Sequence, residues 1–205
     1  MKTTSRKMTH HASVGKSGCG VLLAGGRSQR LPGGKENLQS AHLTGGTLLS
    51  HACSQLRHNF AHNYFLGTKQ PETSEGFEFI CDADSTQGPL SALKEFISQC
   101  DYQFAFVLPI DMPLLRDDEI RDATDFVAAN PASYFACDSA GGACFPLIIH
   151  QSDYVSFVNS ASDRLFAAAK QVGATKLPST LISEHGLLNI NAPGDWEKFQ
   201  EVCCA

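Results

Sequence analysis

No apolar run in the 205-residue chain approaches the roughly 18 residues that a membrane span needs, so no membrane partner is expected. An excess of basic residues is missing too: the formal net charge is −5, which argues against a general affinity for nucleic acid. Residues 1–17 hold no acid, only Lys2, Arg6, Lys7 and Lys16, and they lack the apolar stretch of a secretory signal. They read as a disordered basic lead-in, and 18–205 as a single cytoplasmic domain. The eight cysteines form no CxxC and are irregularly spaced, which fits free, buried thiols in a reducing compartment. Cys203 and Cys204 leave a second reading open, an exposed redox or metal pair. The histidines, His10 and His11 among them, read as surface positions. There is no internal repeat and no low-complexity block.

What remains is an ordinary globular composition, 42 % hydrophobic, in which short apolar runs alternate with helical periods. Strands are expected over 19–23, 63–67, 77–81, 104–109, 132–137 and 143–150, with a last one over 187–190. Helices are expected over 47–58, 89–99, 117–129, 153–159, 163–172 and 193–203. Leu48, Leu49, Ala52 and Leu56 share one face of the first helix. Pro89 and Pro193 stand early in theirs, where a missing N–H costs nothing. Asp117, Asp118 and Glu119 occupy the favourable end of a helix dipole. Strands that are apolar throughout need cover on both faces. The class is therefore α/β, a three-layer α/β/α arrangement around a mostly parallel sheet. In such sheets ligands bind beyond the carboxyl ends of the strands.

Four unusual segments fall at those ends. The first is GCGVLLAGGRSQRLPGGKENLQ. It is neither GxGxxG nor GxxxxGK[ST], yet Gly25 and Gly26 let backbone N–H groups approach an anion, and Arg27, Arg30 and Lys35 can meet phosphates. A Gly-rich turn without a ligand is the alternative. The second places Asp82 and Asp84 after a strand, followed by Gly88-Pro89-Leu90, a tight helix start whose backbone can frame a flat ring. An ordinary loop with an N-cap also fits. The third is VLPIDMPLL, in which Asp111 closes a strand with no polar neighbour. A magnesium ligand shared with substrate phosphates fits, and so does a helix cap. The fourth is LLNINAPGDW, whose Asn189 and Asn191 share one side of a strand by period two. Their amides suit a metal, a substrate or a turn. Together these residues suit a nucleoside triphosphate with Mg²⁺ better than hydride or acyl chemistry.

LAGG-RSQR-LPGGK resembles the signature LAGGxSxRMGxDK of the MobA-like nucleotidyltransferases. The other motifs follow in that family's order, from about Gly20 to the end: Asp82 with Gly88-Pro89-Leu90, Asp111 in IDMP, and NINAP. GPLSAL looks like the family's GPLxG(I/L) and NINAP like NxNTP, which points to the molybdenum cofactor guanylyltransferase branch. The resemblance implies a Rossmann-like nucleotidyltransferase fold. It also implies a reaction in which a terminal phosphate of molybdopterin attacks the α-phosphate of GTP and pyrophosphate leaves. It implies Mg²⁺ as cofactor, and molybdoenzymes or their chaperones as recipients of the product. By match to the family pattern, Leu23, Ala24, Gly25 and Gly26 line the nucleotide, with Arg30 close by, and Lys35 sits on the triphosphate. Gly88, Pro89 and Leu90 edge the guanine, Asp82 contacts the nucleotide, and Asp111 holds Mg²⁺. Asn189 and Asn191 serve the acceptor, Asn191 also the metal, and Arg164 matches a basic position on the pterin side. The chain departs from the pattern at Pro32 for a glycine, Gly34 for an acid and Ala192 for a threonine. GGACFP at 141–146 stands where relatives carry a basic or His-Pro segment. Two rivals stay open: a sister enzyme using CTP or another acceptor, and a non-catalytic nucleotide-binding protein of cofactor assembly.

Overall fold

The computed structural model describes residues 17–24, 38–69, 71, 75–81 and 88–204. Strands β1 (Cys19–Leu23), β2 (Asn63–Gly67), β3 (Glu78–Cys81), β4 (Phe104–Pro109), β5 (Tyr134–Cys137), β6 (Ala143–His150) and β7 (Thr175–Lys176) form one sheet in the order β3-β2-β1-β4-β6-β5-β7. Every pairing is parallel except those of β6, which runs antiparallel to both β4 and β5. Helices α1 (Leu48–Asn59) and α3 (Asp117–Ala129) cover one face. Helices α2 (Pro89–Gln99), α4 (Tyr154–Val158) and α5 (Leu165–Gln171) cover the other. The expected α/β class and layering are present.

Side-chain alternation explains the two faces. Cys19, Val21 and Leu23 join the cluster under α2, α4 and α5, whereas Leu22 joins the one under α1 and α3. Along β4, Phe104, Phe106 and Leu108 go one way and Ala105 and Val107 the other. Gly20 has no side chain because a Cβ there would meet Asn63 Oδ1 at 2.5 Å. Helix α1 starts on a capping box, Thr47 with Ser50, and ends with Arg57 and His58 at the favourable pole of its dipole. Glu119 in the first turn of α3 is buried. Its carboxylate accepts the Arg116 N–H at 2.9 Å and the Ser183 N–H at 2.8 Å. A third, smaller cluster of Leu43, Leu48, Ile190 and Phe199 seats the last helix, α6 (Pro193–Cys204), against the 38–48 loop.

Three expectations are corrected. Residues 187–190 are no strand: the Leu187 and Leu188 N–H groups are spent on the Ser183 and His185 carbonyls, and only Ile190 reaches the sheet side, at Asp111 O. Their apolar alternation serves the third cluster instead. The short exposed strand β7 carries no apolar pattern and was not expected. The thiols are free but not uniformly buried. Cys19 and Cys53 are buried, Cys81 and Cys204 exposed, the other four between. Of the basic lead-in, residues 1–16 lie outside the described residues.

Candidate active site

The chain runs from β1 outward to β2 and β3, then returns to β4 on the other side of β1. The order therefore reverses between β1 and β4, the place where open α/β sheets form a ligand crevice. Leu23 is level with Leu66 on one side and Pro109 on the other, so these strands end together. Beyond that level, the Ala24 N–H still bonds to Leu66 O at 2.9 Å. Beyond β4, Ile110 and Asp111 enter a turn. Asp111 is only 7 % exposed, a position where a carboxylate needs a cation or hydrogen-bond donors beside it.

The Asp111 carbonyl accepts the Ile190 N–H at 2.8 Å, which brings the 189–191 segment alongside. Ile190 is buried, while Asn189 and Asn191 are not. The two asparagines therefore share a side as expected, without a strand to hold them. What orients them is a local network. Asn191 Nδ2 donates to Asn189 Oδ1 at 2.9 Å, and Asp195 Oδ2 accepts the N–H groups of Asn191 at 2.9 Å and Ala192 at 2.8 Å. Asp195 was missed at the sequence level. Its signal was an acid in the first turn of α6, reaching back as in half a capping box.

Gly88 precedes α2 with φ 73°, a conformation that suits glycine, and Pro89 is the first helical residue. Among the described residues nothing lies within 4 Å of a Cβ built on Gly88, so its backbone is open on that side. Leu90 is buried in the same cluster as Leu23, under the α2, α4 and α5 layer. Arg164 is exposed and precedes α5, its N–H donating to Ser162 Oγ at 3.1 Å. The next residues, Leu165 and Phe166, pack under that same layer, Phe166 with its ring 5.1 Å from that of Phe145. Gly25, Gly26, Arg27, Arg30, Lys35, Asp82 and Asp84 lie outside the described residues. The structure thus brings together Leu23, Ala24, Asp111, Asn189 and Asn191, and seats Leu90 of the Gly88-Pro89-Leu90 segment in the same apolar cluster as Leu23. Arg164 stands exposed at the start of α5, beside Leu165, which packs against that cluster.

The expectation that the histidines are surface positions fails at His51. Thr44 N–H donates to His51 Nδ1 at 3.0 Å, and His51 Nε2 lies 3.0 Å from Pro113 O. Burial lowers the His51 pKa, against the Pro113 carbonyl and the Asp117 charge, which raise it.

Among the described residues no three His, Cys, Asp or Glu side chains converge on a metal position. A self-contained metal centre is therefore not built from the described residues. The donors they offer at the crevice are the Asp111 carboxylate and the amide oxygens of the adjoining 189–191 segment, all hard oxygen. That set fits Mg²⁺, which keeps waters and takes one or two carboxylates together with substrate phosphates.

The profile of the MobA-like NTP transferase domain matches residues 20–179. No curated protein matches the chain at the level of sequence. Among solved structures, molybdopterin-guanine dinucleotide biosynthesis protein A from Archaeoglobus fulgidus is similar at 15 % identity. That match covers 90 % of this chain and 98 % of that one, with a TM-score of 0.64. A cytidylyltransferase from Leptospira borgpetersenii matches at 15 % identity over 90 % of this chain and 85 % of its own, with a TM-score of 0.68. The 4-diphosphocytidyl-2C-methyl-D-erythritol synthase of Anaerococcus prevotii matches at 8 % identity over 93 % and 97 %, with a TM-score of 0.65. At these identities the likeness is one of fold.

Proposed function

The chain belongs to the MobA-like NTP transferase family, and on that premise we propose that it transfers GMP from GTP to the terminal phosphate of molybdopterin. It is a nucleotidyltransferase by family. The guanine and the pterin are proposed from the GPL and NINAP segments. The observation that carries the reading is the buried Asp111 carboxylate at the β1–β4 crevice, one backbone hydrogen bond away from the segment that holds Asn189 and Asn191.

In this reading an oxygen of the acceptor's terminal phosphate forms a bond to the α-phosphorus of GTP. The bond from that phosphorus to the bridging oxygen of the β-phosphate breaks, and pyrophosphate leaves with the electron pair. Such a displacement needs positioning and charge neutralisation more than covalent help. Leu23, Ala24, Gly25 and Gly26 bring backbone close to the nucleotide. Gly88, Pro89, Leu90 and Asp82 frame and contact its base side. Lys35 and Arg30 offset charge on the triphosphate. Asp111, with Asn191 beside it, would hold Mg²⁺, which would supply neutralisation of phosphate charge. Asn189, Asn191 and Arg164 receive the acceptor. The product would pass to molybdoenzymes or their chaperones. No helix among the described residues is long and apolar enough to cross a membrane, which is compatible with work in the cytoplasm.

The test is nucleotide-dependent stabilisation with Mg²⁺, followed by pyrophosphate release with molybdopterin. A ligand at a hundred times its Kd stabilises by about 2.7 kcal/mol. GTP should stabilise the wild type more than CTP or ATP, and Asp111→Ala should abolish the difference. Asp111→Ala and Lys35→Ala should fold and lose turnover. A preference for CTP moves the assignment to a sister enzyme of the same fold. Near-normal turnover in either variant removes the residue from the site.

A further inference from the structure

We infer that His51 is a positioning residue for Asp111, acting with Gln55 as a clasp of α1 on the 111–115 segment. The inference rests on the reading of Asp111 as the ligand of a metal-bound nucleotide.

Positions 51 and 55 lie four apart on α1 and therefore on one face, one turn from each other. That face meets the segment that leaves β4. His51 Nε2 reaches Pro113 O at 3.0 Å, and Gln55 Nε2 donates to Leu115 O. With the Ile190 N–H on Asp111 O, alternate carbonyls of 111–115 are each taken by a donor from elsewhere. Asp111, Met112, Pro113 and Leu115 are all buried, so the segment has little room to adjust on its own. Gln55 is 5 % exposed, and its Oε1 is buried without a hydrogen-bond partner among the described residues. An amide kept at that cost is poorly explained as filler and well explained by what its nitrogen holds.

The second nitrogen of His51 extends the clasp. The Thr44 N–H can only donate, so Nδ1 accepts and carries no proton. A carbonyl can only accept, so Nε2 carries one. The ring is therefore the neutral Nε2–H tautomer, and it adds a bond from α1 to each of two segments that Ser50 and Gln55 of the same helix also hold, at Thr44 O and Leu115 O. One is the loop that follows the LAGG signature, the other holds Asp111. A lysine or arginine could not accept from Thr44, and a leucine could serve neither. The Nε2–H bond on Pro113 O, two residues from Asp111, is the part of this clasp that fixes the Asp111 backbone, without touching the ligand itself.

The experiment is a Mn²⁺ titration of the full chain by electron paramagnetic resonance, in the presence of the nucleotide triphosphate that stabilises the wild type most, with urea midpoints in parallel. Gln at position 51 keeps a donor where Nε2 stands, and Asn keeps an acceptor where Nδ1 stands. His51→Leu should weaken Mn²⁺ by about tenfold or more, the range for residues that orient metal ligands. His51→Asn should weaken it comparably, and His51→Gln should stay within about threefold of wild type, below that range. The urea midpoints of the Gln and Asn variants should fall alike, since each loses one hydrogen bond. Equal Mn²⁺ losses in the Gln and Asn variants, or an unchanged affinity in His51→Leu, would overturn the inference. Asp111→Asn separates the two levels of the claim. If it leaves Mn²⁺ affinity intact, or if the wild type binds no Mn²⁺, the reading of Asp111 fails and the inference goes with it. If Asp111→Asn abolishes binding while the His51 variants do not differ, only the inference fails.

Discussion

At the scale of single residues, chemistry is decided by what each side chain is buried against. Cys19 and Cys100 are both cysteines under the same helical layer, yet they are opposites. The Cys100 thiol is held below its ordinary value, mainly by its hydrogen bond with Cys19 and further by the Tyr154 hydroxyl 3.2 Å away, against burial, which raises it. Cys19 is pushed strongly up by that same bond with Cys100 and by complete burial. Thiolates, not thiols, are alkylated. At neutral pH, iodoacetamide should label the half-buried Cys100 while Cys19 and Cys53 stay unmodified, read by peptide mass mapping of the native chain. Labelling of Cys19 before Cys100 would reverse the assignment. Nothing in the sequence distinguished these two thiols, because the partner of Cys19 stands 81 positions away. The burial of Asp111 was legible for a different reason: a carboxylate that ends a wholly apolar run is carried inside with it. His51 looked like any polar residue on the outer face of α1, and only the fold brings Pro113 to it.

At the scale of elements, the continuous apolar runs and the amphipathic helical periods were read with little error. The expected 63–67, 89–99, 104–109, 117–129 and 143–150 coincide with β2, α2, β4, α3 and β6. Burial along a whole strand or along one face of a helix leaves a signal that no tertiary contact has to supply. The direction of β6 left none, because an antiparallel strand inside a covered sheet is as apolar as a parallel one. The segment 187–190 failed because its alternation is real but is satisfied by the third cluster and by turns. That makes Asp195 the element-level determinant of the asparagine pair, since no sheet holds them. Asp195→Ala should cost about 1 kcal/mol of stability, the usual value of a lost helix-start hydrogen bond. It should also weaken whatever Asn189 and Asn191 bind, because the N–H groups of Asn191 and Ala192 lose their common acceptor. A urea midpoint and an acceptor KM on the same variant separate the two effects. A KM unchanged in a destabilised Asp195→Ala chain would free the asparagine pair from this network.

At the scale of the whole molecule, the sheet brings distant histidines into one dependence on pH. His51 is held neutral between Thr44 and Pro113, and burial lowers its pKa, opposed by the Asp117 charge. His150 accepts the Ser152 N–H at Nδ1 where β6 ends, and its pKa is likewise lowered by burial, opposed by Asp153. An unfolded histidine titrates near 6.5, so below about that pH the unfolded chain binds more protons than the folded one. Stability is therefore full above about pH 6.5 and falls as the pH drops toward the depressed folded values, by at most about 1.4 kcal/mol per pH unit for each histidine. The exposed Asp118, lowered by its bond to Arg116, has the same sign but acts only below the ordinary carboxylate range. A decline that begins between about pH 6.5 and 5 is thus a histidine signature. Urea midpoints should be level from about pH 7 to 8 and decline below 6.5, and His51→Gln with His150→Gln should flatten that decline. An equal decline in the double variant would assign it to other groups. A level wild-type profile down to pH 5 would mean that neither ring is held neutral by the fold, and the bridge from Thr44 to Pro113 would then be a contact the protein can lose without consequence.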